Sequence, residues 1–228
     1  MYTLYIANRN YSSWSLRAWI LMRVLNIPFE ERLMVFEDGS SWAAFRAFSP
    51  AGLVPCLHDA PTVVWDSLAI VEYLAERHPG VWPADAAARA WARSAAAEIH
   101  SGFQALRSAC TMTCGQRIRL HDVSPALRRD LDRIGELWGA GLARFGGPYL
   151  AGDTFTAVDA FYAPVAFRAQ TYGLEWPGAA GEYVQRLLAL PAMQDWYAAA
   201  LKESWREPGH EAEALAAGTI VADLRQPA

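Results

Sequence analysis

Cysteine is scarce in this chain. There are three in 228 residues, Cys56, Cys110 and Cys114, too few and too irregularly placed for a disulfide framework. No cluster of histidine or carboxylate joins them in a ligand set, so no metal site is expected. Lysine is scarcer still, with Lys202 alone. The 20 basic and 24 acidic residues leave a net charge of −4, which gives no electrostatic ground for nucleic acid or an anionic membrane as partner. No apolar run is long enough to cross a bilayer. Residues 1–10 lack the basic stretch, apolar block and small-residue cleavage site of a secretory signal. The expectation is a cytoplasmic, reduced protein. What the chain has in quantity is apolar material, 53% hydrophobic and 12% aromatic, ample for a substantial core.

Residues 1–78 differ in pattern from the rest. A β-type run over 2–7 precedes helical spacing at Leu16, Trp19, Ile20 and Val24. Pro28 ends that helix, and 29–36 reads as a second strand. A short helix over 42–48 stops at Ser49-Pro50-Ala51-Gly52, a strong turn signal. Brief strands over 54–58 and 63–65 follow, then a helix over 67–77. The order βαβ then αββα predicts a small mixed sheet covered by helices, an α/β domain. Residues 79–84 form a Pro- and Gly-bearing linker. In 85–228 strand signals vanish and an all-α domain is expected. Its parts are a long Ala-rich helix reaching Cys114, a helix capped by Ser124-Pro125, one opened by Thr156-Ala157-Val158-Asp159, and one opened by Pro191. The tail, 207–228, shows no clear periodicity and is expected to wrap the surface or stay mobile.

Three short motifs carry chemistry. Ser12 and Ser13 fall where the first strand passes into the first helix, and unpaired N–H groups and the helix dipole favour an anion there. Either serine alone would read as a helix cap. In Leu53-Val54-Pro55-Cys56, a proline opening a strand invites a cis bond, which would turn the Val54 backbone outward toward a peptide-like ligand. Asp66-Ser67, at the next helix start, pairs a carboxylate with a hydroxyl and N–H, a set that suits an amino-acid head group.

Together, Ser12-Ser13-Trp14-Ser15-Leu16-Arg17, the stretch from Ser49 to Pro55, the stretch from Asp66 to Leu74, and Tyr149 to Asp159 resemble, in order and spacing, the glutathione transferase family. The resemblance spans roughly residues 1–205 and implies a thioredoxin-like N-terminal domain, a helical C-terminal domain, glutathione as co-substrate and a homodimer. Within the family the double serine is most similar to the zeta class, which includes maleylacetoacetate isomerase. That match implies that Ser12 contacts the glutathione sulfur with Ser13 nearby. Val54 and Pro55 would meet the cysteinyl backbone, Asp66 and Ser67 the γ-glutamyl group, and Gln104 would reach in from the helical domain. Ser40 stands where the class has a glutamine contact. Trp14 replaces a cysteine, which disfavours disulfide chemistry. Trp14, Phe103 and Arg168 are the candidates for binding the second, electrophilic substrate; the zeta substrate arginine aligns with Thr171, one helical turn after Arg168.

The chemistry expected of Ser12 is hydrogen-bond donation to a thiolate, never nucleophilic attack. A free thiol with a pKa of about 8.5 is only a few per cent ionised at neutral pH. Lowering it by about two units takes roughly 2.7 kcal/mol. A hydrogen bond to the anion supplies about 1.5–3 kcal/mol and a helix N-terminus about 0.3–1 kcal/mol. Tyr5 and Tyr11 are the alternatives if a phenol does this work. The products in view are a glutathione conjugate, a cis–trans isomer of the maleylacetoacetate type, or none, if the chain only binds ligands. Cys56 reads as inert core, and Cys110 with Cys114 as one packed helix face. Arg17 reads as half of a structural ion pair, and His210 as surface or loop.

Overall fold

The structure is a computed structural model that describes residues 1–226. The chain opens with β1 (Tyr2–Ile6), α1 (Ser13–Val24) and β2 (Phe29–Leu33). After α2 (Trp42–Phe45) come β3 (Cys56–Asp59), β4 (Thr62–Trp65) and α3 (Ser67–Ala75). The sheet order is β2-β1-β3-β4, with β1 and β2 parallel and β3 antiparallel to both neighbours. Leu4 faces Leu57 across the central pair. This is the small mixed sheet that the βαβ-αββα order predicts, with the thioredoxin-like arrangement that the resemblance implies.

Helix α1 is apolar nearly all round, and from Ser15 to Met22 every side chain is buried. Such a helix needs cover on more than one face. It packs on the sheet, on α3 and on two helices of the second half, α7 (Ala157–Tyr172) and α9 (Pro191–Lys202). In α7 every residue except Gln170 is buried. The other helices of that half are α4 (Ala86–Ser101), α5 (Gln104–Ala109), α6 (Pro125–Phe145), α8 (Ala179–Leu188) and α10 (Pro208–Ala217).

The helical half departs from the sequence reading in two places. The Ala-rich helix does not run to Cys114. Gly102 leaves helical geometry, where an added Cβ would sit 2.7 Å from the Glu98 carbonyl oxygen, and Phe103 adopts a left-handed φ of 56°. Cys110 therefore ends α5 and Cys114 lies in the following loop, so the two share no helix face. The second departure is a two-stranded antiparallel ribbon of β5 (Gln116–Leu120) and β6 (Gly218–Asp223). The tail is thus a helix and a strand tied to the body. Leu224 N–H donates to the Gly115 carbonyl and Gln226 N–H to that of Leu201.

Asp159 holds the helical half together. Its fully buried carboxylate accepts from Leu150 N–H (3.0 Å), Thr156 N–H (2.9 Å), the Thr156 hydroxyl and the Tyr183 phenol (2.9 Å). This completes the capping box of α7 and ties α7 to α8 and to the loop after α6. Burial outweighs these bonds and lifts its pKa from 3.8 to about 6.

Asp159→Ala leaves several buried donors unpaired, a loss of roughly 2–4 kcal/mol, seen as a fall in the thermal midpoint of roughly 6–12 °C. Between 3.8 and about 6 the folded carboxyl binds more protons than the unfolded one, so its contribution to stability declines as pH rises through that window and is flat above it. Asp159→Asn should abolish this component of the pH profile. Burial also raises the thiol pKa values of Cys56, to about 11, Cys110, to about 12, and Cys114. All three should resist a disulfide reagent in the native protein and react together on unfolding; fast native labelling would contradict this.

Candidate functional site

Ser12 caps α1. Its oxygen accepts from Ser15 N–H at 3.4 Å, and its hydroxyl donates to Ser15 Oγ at 2.7 Å. Ser15 Oγ in turn accepts from Ala7 N–H at 3.2 Å. The turn between β1 and α1 is thereby fixed, with Ser12 and Ser13 both buried at its edge. Arg168, on α7, donates to Ser13 Oγ at 3.4 Å across the gap between the two halves.

The peptide bond between Val54 and Pro55 is cis. Among the described residues neither the N–H nor the C=O of Val54 has a hydrogen-bond partner. Asp66 caps α3 with a left-handed φ of 72°, a conformation that costs a non-glycine residue about 1–3 kcal/mol. Its Oδ1 accepts from Leu68 N–H at 2.8 Å, and its Oδ2 lies 3.5 Å from His100 Nε2. Ser67 Oγ is buried and has no partner among the described residues.

These segments converge on two adjoining cavities. The larger, about 490 Å³, is lined by Ser12, Ser13, Trp14, Val54, Gln104 and Arg168, among others. The smaller, about 320 Å³, is lined by Trp14, Val54, Pro55, Asp66 and Ser67. Trp14, Leu53 and Val54 belong to both walls. Nine of the eleven residues that the sequence nominates therefore border one continuous depression.

Two line neither cavity. Ser40 lies in a third hollow, beside Trp42 and Glu207, that shares Phe36, Phe45, Leu53 and His210 with the larger cavity; its oxygen accepts from Trp42 N–H. Phe103 is buried in the core at the start of α5, because the chain reverses at Gly102 and swings its ring inward. The phenols are no closer to serving as donors. Tyr5 stacks on Phe48 at 4.4 Å, and Tyr11, although it lines the larger cavity, donates its proton to Glu211 at 2.6 Å. Burial and that carboxylate hold the Tyr11 phenol well above its usual pKa.

Arg17 makes no ion pair among the described residues. Its guanidinium stacks on Trp14 at 4.3 Å and on Phe161 at 4.9 Å, and Nη1 lies 3.5 Å from His100 Nδ1. Arg107 covers Trp14 at 4.7 Å and donates to the Gly102 and Ile99 carbonyls. Arg168 donates to the Cys110 carbonyl at 2.7 Å. Two guanidiniums thus cover one indole and the third, Arg168, reaches Ser13 beside it, none with a carboxylate partner among the described residues. Burial first, then mutual repulsion, pulls Arg17 well below the arginine range and Arg168 down to about 10. Burial lowers Arg107. His100 is lowered as well, by burial against the opposing pull of Asp66. Such a pocket favours an anion.

Sequence reasoning missed Arg107, Met112 and two residues of the tail helix. Arg107 was within reach, three positions after Gln104 on the same helix. His210 and Glu213, which line the larger cavity from α10, gave no signal, and His210 is no simple surface residue: it stacks on Tyr11 at 4.8 Å.

Residues 11–77 match the glutathione S-transferase N-terminal domain and residues 116–199 its C-terminal domain. A probable maleylacetoacetate isomerase of Caenorhabditis elegans is 26% identical over 183 residues, 75% of this chain and 80% of that protein. Glutathione S-transferase GstB of Escherichia coli K12 is 28% identical over 201 residues, 83% and 88% of the two chains. Among solved structures, the theta class glutathione S-transferase of Xanthomonas axonopodis pv. citri, with glutathione bound, is 25% identical with a TM-score of 0.63, covering 86% of this chain and 96% of that one. Two matched domains in sequence order, over a thioredoxin-like sheet and a helical second half, establish that the chain belongs to the glutathione S-transferase family.

Proposed function

We propose that the chain is a serine-type glutathione transferase whose site activates the glutathione thiol for attack on a small, anionic electrophile. The observation that carries this reading is the shared wall. Ser12, Val54 and Asp66-Ser67 come from three separate segments, yet they border two cavities joined at Trp14 and Val54. An extended tripeptide fits that layout. Its γ-glutamyl ammonium would meet Asp66 and its α-carboxylate Ser67, whose hydroxyl otherwise stays unpaired. Its cysteinyl backbone would pair with Val54, as an added strand pairs with a sheet edge. That geometry leaves the sulfur at the α1 N-terminus.

There Ser12 is the proposed donor to the thiolate. In the free protein its proton rests on Ser15 Oγ. Turning that proton to the sulfur leaves Ser12 Oγ free to accept from the Ser15 hydroxyl in exchange. No proton is lost in the swap, and the thiol proton leaves to solvent. The Arg168 and Arg107 guanidiniums line the same cavity and add positive potential where the thiolate forms. Ser13 accepts from Arg168 and retains its own proton, which makes it the rival donor.

The same cations favour an electrophile that carries a carboxylate. Thr171 does not line either cavity; its hydroxyl donates to the Thr113 carbonyl at 2.8 Å. Arg168 takes the place of an arginine there, one turn earlier. Isomerisation of a maleylacetoacetate-like acid through a glutathione adduct is therefore the second reading, favoured by the relatives of that name. A homodimer is proposed from the family.

The thiolate absorbance of bound glutathione, followed against pH, tests the assignment. Ser12→Ala should raise the bound thiol's pKa by about one unit or more, a loss of about 1.4 kcal/mol. Ser15→Ala should raise it less, because it only weakens the donor's support. A rise confined to Ser13→Ala would move the role to Ser13. Tight binding without thiolate absorbance, or without turnover of an aryl halide or maleylacetone, would leave a binding protein instead.

A further inference from the structure

Helix α10 forms part of the wall of the larger cavity through His210 and Glu213. Its apolar anchorage is slight: its buried side chains amount to Ala214, and His210 stacks on Tyr11. Its polar anchor, Glu211, is gripped by Arg225, beyond β6, whose side chain is only 2% exposed. Each guanidinium nitrogen is engaged. Nη1 donates to Glu211 at 2.5 Å and to the Tyr11 hydroxyl at 3.0 Å; Nη2 donates to Glu211 at 2.9 Å and to Asp223 at 2.5 Å; Nε donates to Asp223 at 2.8 Å. The Tyr11 phenol closes the ring by donating to Glu211. Gln116, on β5, donates to both Glu211 and Asp223.

The backbone is shaped for this side chain. A Cβ on Gly115 would fall 2.2 Å from Arg225 Cγ and 2.9 Å from Cδ. Gly115 also accepts the Leu224 N–H. Only a residue without a side chain lets the arginine stem pass between the loop after Cys114 and the tail. The ring in turn reaches the site directly, since Tyr11 immediately precedes Ser12 and lies against His210.

We infer that Arg225 is a positioning residue for second-substrate binding: it clasps the α10–β6 tail to Tyr11 and so fixes the wall that His210 and Glu213 contribute. The inference rests on the larger cavity receiving the group that the glutathione sulfur carries. The glutathione contacts proposed at Val54, Asp66 and Ser67 lie in the first half of the chain, outside the clasp, so loss of Arg225 loosens the wall at His210 and Glu213 and leaves those contacts in place. A charged fork is needed, because one side chain must satisfy two carboxylates and a phenol at fixed angles.

The test compares two ligands on three full-length proteins: wild type, Arg225→Ala and Gly115→Ala. The second variant keeps every bonding group and only displaces the arginine. Calorimetry with glutathione should give affinities within about twofold of wild type for both. S-hexylglutathione, whose alkyl chain fills the second-substrate space, should bind about tenfold more weakly to both, a difference of about 1.4 kcal/mol. Hydrogen exchange should show faster amides in α10 and β6 and unchanged ones in α1. Equal loss of both ligands, or no loss of either, would overturn the inference, as would failure of both variants to fold. Wild-type protein that binds neither ligand would sink the glutathione reading itself, a result separate from any effect of the variants.

Discussion

The interaction on which the rest depends is the burial of α1 between the sheet and α7. A helix buried from Ser15 to Met22 on every side cannot rotate or slide without exposing apolar surface on one face and clashing on the other. Its first turn is therefore fixed as firmly as its middle. Ser12, Ser13 and Trp14 inherit that precision, although they sit at the mouth of a depression. The opposing face comes from the other half of the chain. Phe161 lies under Arg17, and Arg168 reaches Ser13. Site geometry and domain packing are one contact surface.

The electrostatic character follows from the same burial. Arginines brought into an apolar interface are usually matched by carboxylates, since an unpaired buried charge is costly. Here Arg17, Arg107 and Arg168 are matched by aromatic faces and backbone carbonyls instead. Those partners compensate part of the desolvation and none of the net charge. The residual positive potential is directed at whatever occupies the space beside Trp14. Carboxylates are not lacking nearby; Asp66 and Glu213 stand at the edges, while Glu211 and Asp223 are already taken up by Arg225. Charge is sorted, with cations at the centre of the pocket and anions at its rim or committed elsewhere.

The parts legible in the sequence were those whose signals are local. Hydrophobic spacing located α1, α3 and α6, and turn residues bracketed β3 and β4. Ser12, Val54, Asp66 and Ser67 stood out because each stands at an element boundary, where sequence and backbone geometry are coupled. The ribbon was not legible, because Gln116 and Asp223 pair over more than a hundred residues and each strand is too short to show a period. Phe103 misled for a related reason. An Ala-rich stretch predicts an unbroken helix, and the left-handed turn after Gly102 is set by tertiary packing. Arg17 suggested a salt bridge because half of the aromatic cage around it, Phe161, comes from the far half of the chain.

The tail pairing gives the chain an unusual order of completion. Contacts run from Tyr11 to Glu211 and Arg225, from Arg9 to Glu203, and from Gly115 to Leu224. During synthesis the thioredoxin-like sheet has all its strands by Trp65, and its serines are in place early. The larger cavity lacks a wall until Arg225 has emerged. A chain cut just before Arg225 would keep nearly all of its core and lose the enclosure of its pocket. Two segments some two hundred residues apart in sequence, at Tyr11 and at 211–225, thus decide when the pocket exists.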